Sequence, residues 1–330
     1  MVIAAEKAAK SLLQLEFQQL TFIPLKGYRI SYSKKGNRLP LKMISQIPRL
    51  LLAVYQEHQW IKKVVKRYSI DAIISDNRFG LYHAGIPSVY ITHQLLIKTG
   101  HHSLEKIAQK IHFWFIRKYT NCWVPDFEGK DNIAGELSHP SRYPSNVRYL
   151  GALSRFEKKE QPRKKYDLLV LLSGPEPQRS VFEAILLPQL QAYHQSILLV
   201  RGLPGTDEKE GNVWLPGSGN PQLIVTNHLS AGELNDAIQQ AELVVTRSGY
   251  TTVMDLVKLK KKAVLVPTPG QTEQEYLAWH LMKQDFFYTT LQEGFSLPDA
   301  LAGTADFPFV VPSFDMEQYK KVVYEFVRSL

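Results

Sequence analysis

The run "TRSGYTTVMD", residues 246–255, sets Arg247, Ser248, Gly249 and Tyr250 between an apolar stretch and a helical pattern. The first N–H groups of a helix lack intrahelical acceptors and lie at the positive end of its dipole, so they suit a phosphate. Gly249 leaves room for close approach. Thr251 and Thr252 carry hydroxyls that either cap the helix or donate to phosphate oxygens. Asp255, four residues past Thr251, shares its helical face and is a carboxylate able to accept from ribose hydroxyls. Each feature also has a plain use: a glycine to turn, a threonine to cap, an acid to face water.

A second run, "TPGQTEQE", places Gln271, Glu273 and Gln274 at the start of the next helix. Amides and carboxylates together can read sugar hydroxyls, while glutamate in a first turn also complements the helix dipole. Two further junctions carry polar or glycine residues: "SGPEPQRS", with Gly174 and Arg179, and "NHLS", with Asn227, His228 and Leu229. In an open parallel sheet such junctions gather at the carboxyl ends of the strands, where ligands bind.

The elements that would position these residues alternate along the chain, as in parallel sheets covered by helices. In the first half "MVIAAE", "LTFIPL", "SIDAIISD", "PSVYITHQL" and "TNCWVPD" read as strands, with a helix near 7–16 and a short one at "NRFGLYHAG", ended by Gly85. Residues 39–68 form a long amphipathic helical pattern interrupted by Pro48, and residues 103–119 repeat its basic, aromatic character. A charged, proline-containing linker follows "VRYLG" and divides a domain over 1–150 from one over 151–330. The second domain continues with strands at "DLLVLL", "SILLVRG", "PQLIVTNHL", "ELVVTRSG" and "KAVLVPTP". Ser230 and Glu233 make a capping box, and "MEQYKKVVYEFVRSL" is a terminal helix.

Composition narrows the setting. One cysteine, Cys122, among 330 residues excludes an internal disulfide framework and a cysteine-built zinc site. The start lacks the long apolar core of a secretion signal, and no run approaches a membrane span, so the expected location is the cytoplasm or the cytoplasmic face of a membrane. The net charge of +9 is uneven: residues 1–150 hold 22 Lys+Arg against 10 Asp+Glu, and residues 151–330 hold 18 against 21. The first half therefore expects an anionic partner or surface, or else presents a solvated basic face. No nucleic-acid recognition motif accompanies that charge.

Taken jointly, "TRSGYTTVMDL", a short strand and "PTPGQTEQE" resemble the donor-binding half of GT-B glycosyltransferases. The resemblance is to the transferases that add N-acetylglucosamine to the lipid-linked peptidoglycan precursor and to relatives with a family 28 type C-terminal domain. It covers most of residues 165–290. It implies two Rossmann-like domains facing across a cleft, with Arg247 to Thr252 around the diphosphate and Asp255 at the ribose. Gln274, with Glu273, would hold the sugar hydroxyls, and Asn227, His228 and Leu229 would flank the base. At "SGPEPQR" the family is richer in glycine; Pro175 and Pro177 remove N–H donors, and Arg179 substitutes as a charge-assisted donor beside Gly174.

In the first half, the resemblance sets Asp76, Asn77, Arg78, His93 and Gln94 on the acceptor side of the cleft, with His93 and Asp76 the candidate bases. Family members open with a strand, a Gly-rich loop containing His, and a helix, whereas "MVIAAE" resembles their second strand. The first βα unit, about thirty residues, is thus expected to be absent. The terminal helix is expected to cross back to the first domain.

The expected activity is sugar transfer from a nucleotide diphosphate sugar, UDP-linked by the resemblance, to an acceptor hydroxyl that is lipid-linked or part of the cell envelope. It needs no cofactor or metal, since the helix at Gly249 meets the departing diphosphate. Two rivals stand beside it: a UDP-N-acetylglucosamine 2-epimerase, which acts on the donor alone, and a non-catalytic nucleotide-sugar-binding module.

Overall fold

A computed structural model describes residues 1–27, 39–98, 102–160, 162–203 and 220–330. One residue of the expected linker, Gln161, lies outside the described residues. The chain divides into two compact units: Met1–Trp123 with Ser141–Arg148 and Phe326–Leu330, and Val124–Pro140 with Tyr149–Glu325.

In the second unit, six parallel strands form one sheet: β7 (Tyr166–Leu171), β8 (Ile197–Val200), β9 (Leu223–Thr226), β10 (Ala241–Thr246), β11 (Ala263–Leu265) and β12 (Tyr288–Thr289). Their order is β12-β11-β10-β7-β8-β9, so the winding reverses between β7 and β10. Helices cover both faces. Leu169, Leu171, Val244 and Leu265 pack with α5 (Ala231–Gln240), α6 (Tyr250–Leu259) and α7 (Thr272–Lys283). Leu168, Val170, Val245 and Val264 pack with α4 (Gln178–Ala192) and α8 (Leu297–Ala305). Alternate residues thus serve opposite cores, which is why these strands read as unbroken apolar runs.

Local chemistry sets the helix starts. Ser230 Oγ accepts from the Glu233 N–H and Glu233 Oε2 accepts from the Ser230 N–H, closing the expected capping box on α5. Ser296 caps α8 by accepting from the Asp299 N–H at 3.3 Å, a start written in "SLPD".

The first unit holds two hydrogen-bonded sheets: β1 (Val2–Ala5) with β2 (Thr21–Pro24), and β3 (Ile73–Asp76), β4 (Ser88–Ile91), β5 (Asn121–Val124) and β6 (Val147–Tyr149) in that order. The helix α1 (Lys7–Glu16) joins β1 to β2, and α2 (Leu39–Tyr68) packs Ile61 and Val64 against Ile23 and Ile73. Contrary to the expected interruption, α2 runs unbroken through Pro48.

The short helix expected over "NRFGLYHAG" is a correction of another kind, because residues 77–85 form turns. Asn77 has a positive φ of 51°. Arg78 Nε donates to Glu57 Oε1 at 2.6 Å, and Gly80 packs so tightly that a Cβ there would lie 2.4 Å from the Val54 carbonyl. These side-chain ties replace the helical hydrogen bonds that the residue types would otherwise permit.

The helix α3 (His102–Ile116) precedes β5, and α9 (Gln318–Arg328) ends the chain. Phe326 at its end is buried edge-on against Trp123, with ring centroids 5.2 Å apart. No helix among the described residues is long and apolar enough to cross a membrane.

Candidate functional site

The reversal between β7 and β10 is where an open parallel sheet leaves a crevice at its carboxyl edge. Both flanking strands end in the predicted motifs. Past β7, Gly174 adopts φ 99°, and a Cβ built on it would meet only Thr268 Oγ1, 3.9 Å away. Past β10, Ser248 and Gly249 lead into α6, with Gly249 as N-cap in an extended conformation. No side chain caps this helix from Gly249. The N–H groups of Thr251 and Thr252 lie in its first turn, where no intrahelical carbonyl precedes them. Thr251 is exposed and Thr252 half-buried.

The α7 residues meet this turn. Ser248 Oγ donates to the Gln274 carbonyl at 2.8 Å. Gln274 Oε1 accepts from the Thr268 N–H at 2.9 Å, and its Nε2 donates to Gln271 Oε1 at 2.7 Å. Glu273 sits half-buried on the same first turn. The structure thus gathers Gly174, Ser248, Gly249, Gln271, Glu273 and Gln274 at one sheet edge: N–H donors for an anion beside amides and a carboxylate for hydroxyls.

Arg247 has a different surrounding. It is 1% exposed, and its guanidinium donates to the carbonyls of Val266, Pro267 and Gln178 and to Gln292 Oε1. It also stacks 4.4 Å from the centre of the Phe182 ring. Burial lowers its pKa to about 10, which leaves it charged at neutral pH. The guanidinium ties the segment after β11 to the start of α4.

Tyr250 is likewise a buried residue, and its hydroxyl donates to the Pro125 carbonyl at 2.8 Å. Arg179 is 6% exposed and bonded to Glu176, Glu183, Ser180 and the Arg201 carbonyl. Its donors stabilise the start of α4. Arg201 continues this network to Asn227, donating from Nη1 to Oδ1 at 3.0 Å. His228 is exposed beside it at the end of β9, and Leu229 is partly buried against the core.

Asp255, one turn into α6, is nearly buried and accepts from Ser154 Oγ. Burial raises its pKa to about 6, against the opposing pull of the Ser154 hydrogen bond and the Arg155 charge. Ser154, Thr268 and Gln292 are the site-supporting residues that the motifs did not single out. Ser154 and Gln292 stand 101 and 45 residues from the groups they meet, with no spacing to betray the contact.

In the first unit, Asp76 ends β3, and His93 follows β4, its neighbour in the sheet. Desolvation raises the Asp76 pKa, and the His93 charge opposes it, so these two candidates face one another electrostatically. Asn77 Oδ1 accepts from Tyr90 Oη at 2.7 Å, and Arg78 pairs with Glu57 and Glu6. Gln94 is half-buried, with its N–H donating to Thr92 Oγ1.

Comparison with known proteins agrees with this architecture. Residues 183–302 match the glycosyltransferase family 28 C-terminal domain. The fold is GT-B. The glycosyltransferase of kitacinnamycin superposes with a TM-score of 0.58 at 13% identity, covering 99% of this chain and 87% of that one. MurG of Acinetobacter baumannii gives 0.51 at 13%, covering 99% and 90%. SsfS6 of Streptomyces sp. SF2575, complexed with thymidine diphosphate, gives 0.53 at 12%, covering 99% and 87%. No curated protein sequence matches the chain.

Proposed function

We propose that this protein is a glycosyltransferase that moves a sugar from a nucleotide diphosphate sugar, UDP-linked, to an acceptor hydroxyl. The observation that carries the reading is the start of α6 at the sheet's reversal point, with Gly249 leading its first-turn N–H groups to the carboxyl edge. The family 28 domain over the same residues supports it, as does a thymidine diphosphate complex in a protein of the same fold.

The chemistry follows from charge. Breaking the bond between sugar and diphosphate leaves negative charge on the diphosphate, and N–H donors aimed at that position stabilise the transition state more than the substrate. The reading uses these donors and no cofactor or metal. Gln271, Glu273 and Gln274 orient the sugar through its hydroxyls. The acceptor hydroxyl must lose a proton, a task for a general base such as the carboxylate of Asp76 or the imidazole of His93.

A thermal-shift screen of UDP, dTDP, GDP and their sugars, followed by a UDP-release assay with and without lipid-linked acceptors, tests this. Binding with acceptor-dependent release supports transfer; conversion of UDP-N-acetylglucosamine without acceptor would replace it with epimerisation. Binding with neither reaction would leave a nucleotide-sugar-binding module.

The acceptor setting rests on a separate feature. Ile107, Ile111 and Trp114 form an exposed apolar stripe on α3, at helical spacing, and Lys106, Lys110, Arg117 and Lys118 are exposed around it. Apolar side chains ringed by cations suit the cytoplasmic face of an anionic membrane, from which a lipid-linked acceptor is taken.

A further inference from the structure

The segment after β5 closes on a buried carboxylate. Asp126 is fully buried, and its Oδ1 accepts from the Phe127 and Ile133 N–H groups, both at 2.8 Å. Its Oδ2 accepts from the Ala134 N–H at 3.0 Å and from Ser138 Oγ at 2.5 Å. Four donors offset the cost of burying this side chain, and they bind residues 126–138 into one rigid loop. Asn132 adds a cross-tie by accepting from the Gly135 N–H at 2.7 Å.

This loop touches both helices of the donor site. At one end the Tyr250 hydroxyl donates to the Pro125 carbonyl, next to Asp126, and Tyr250 is the first residue of α6, directly after Gly249. Burial, the nearby Asp126 charge and a hydrogen bond to Asp126 push the Tyr250 pKa well above its usual value, so the hydroxyl keeps its proton. At the other end the Glu136 N–H donates to Tyr276 Oη on α7 at 2.8 Å. Gly135, at φ 55°, lets the loop approach so closely that a Cβ there would lie 2.5 Å from Tyr276 Oη and 2.6 Å from His280 Cε1.

We propose that the Asp126 loop is a positioning clamp for donor binding, with Tyr250 fixing the anion-binding turn of α6 and Tyr276 fixing the sugar-reading turn of α7. Asp126, Gly135, Tyr250 and Tyr276 act through the groups they hold and do not touch the donor. The physical reason is preorganisation: N–H groups and amides aimed at a diphosphate sugar act at full strength only when their spacing is locked before the ligand arrives. The Ser248 to Gln274 hydrogen bond joins the two turns directly, and the clamp sets the second point that prevents them from pivoting about it.

The clamp rests on the proposed donor site, and its test separates the two. Affinities for UDP and UDP-N-acetylglucosamine are measured by calorimetry, with melting temperatures, on the wild-type chain and on Tyr250→Phe, Gly135→Ala and Asp126→Asn. Tyr250→Phe should keep its melting temperature within a few degrees and weaken UDP and UDP-sugar alike by roughly tenfold, because a loosened α6 turn must be re-ordered when the ligand binds. Gly135→Ala should leave UDP affinity within about twofold and remove the added affinity of the sugar, because its methyl group displaces Tyr276 from the loop side. Tyr276→Phe alone removes the Glu136 hydrogen bond without adding bulk and should lower the sugar increment while leaving UDP affinity within about twofold. Asp126→Asn should lose both.

If these variants only lower the melting temperature, with UDP and UDP-sugar affinities unchanged or moving in a constant ratio throughout, the loop is structural and the clamp is wrong. If the wild-type chain binds neither ligand, the donor-site reading itself fails. Wild-type binding with a sugar increment indifferent to Gly135→Ala overturns the clamp and leaves the donor site standing.

Discussion

Ser154 Oγ donates to Asp255 Oδ1 at 2.6 Å, joining the segment after β6 to the second turn of α6. Burial lifts the Asp255 pKa to about 6 in spite of this hydrogen bond, at a position the sequence reads as either a ribose acceptor or an acid facing water.

A pH dependence follows. The folded state holds the Asp255 proton more tightly than the unfolded chain, so the group favours folding below pH 4, and this contribution is lost as pH rises through 6. Relative to Asp255→Asn, the wild-type protein should lose about 2 kcal/mol of stability between pH 4 and pH 7. Urea unfolding of both proteins at the two pH values measures it; a difference that is flat, or that grows with pH, would remove the buried-acid account.

Gly249 separates folding from binding. Its φ of −67° suits any residue, and a Cβ built there meets nothing closer than Thr252 Oγ1 at 4.0 Å. Gly249→Ala should therefore fold normally. Gly249→Asp should fold as well, since a carboxylate complements the helix start, but it occupies the anion position and should weaken UDP binding by more than about a hundredfold. Calorimetry with unchanged UDP affinity in Gly249→Asp would sink the site.

Arg247 should matter for stability. Replacing it with Met keeps most of its packing over Phe182 but strands the acceptors of Val266, Pro267, Gln178 and Gln292, a loss of roughly 2–4 kcal/mol. Arg247→Lys should recover little, because an ammonium cannot span acceptors arranged around a planar fork. Equilibrium denaturation tests both; a near-neutral Met variant would show that the buried guanidinium contributes no net stability.

The α3 stripe predicts lipid behaviour. The wild-type chain should sediment with phosphatidylglycerol vesicles and much less with phosphatidylcholine, and added salt should weaken the association. Trp114→Glu should reduce it about fivefold or more by placing charge in the apolar stripe. Equal recovery with both vesicle types would remove the anionic-surface reading.

Much of this molecule is legible in the sequence because the signals are local. The strands of the second unit are apolar runs since both faces are covered, and Ser230 and Glu233 close the box their spacing implies. The short helix expected at residues 77–85 fails for a non-local reason: Arg78 is drawn to Glu57, 21 residues earlier, and Gly80 is packed against α2. Pro48 fails as a breaker because its cost is confined to one turn of a thirty-residue helix.

Residue types and spacing alone carry the alternating architecture, the strand-end placement of Gly174 and Gly249, the helix-start placement of Gln274, and the basic character of the first half. These depend on periodicity, turn chemistry and charge, all of which act between near neighbours. The partners of the polar side chains depend on packing between distant segments. Arg247, Tyr250 and Arg179 stand at the predicted junctions, and in the fold each donates to acceptors that its own motif does not reveal. Asp126 shows no motif at all and gathers four donors from its own loop. A side chain's partners are set by where the backbone carries distant residues, and that information appears only when the sheets and helices have packed.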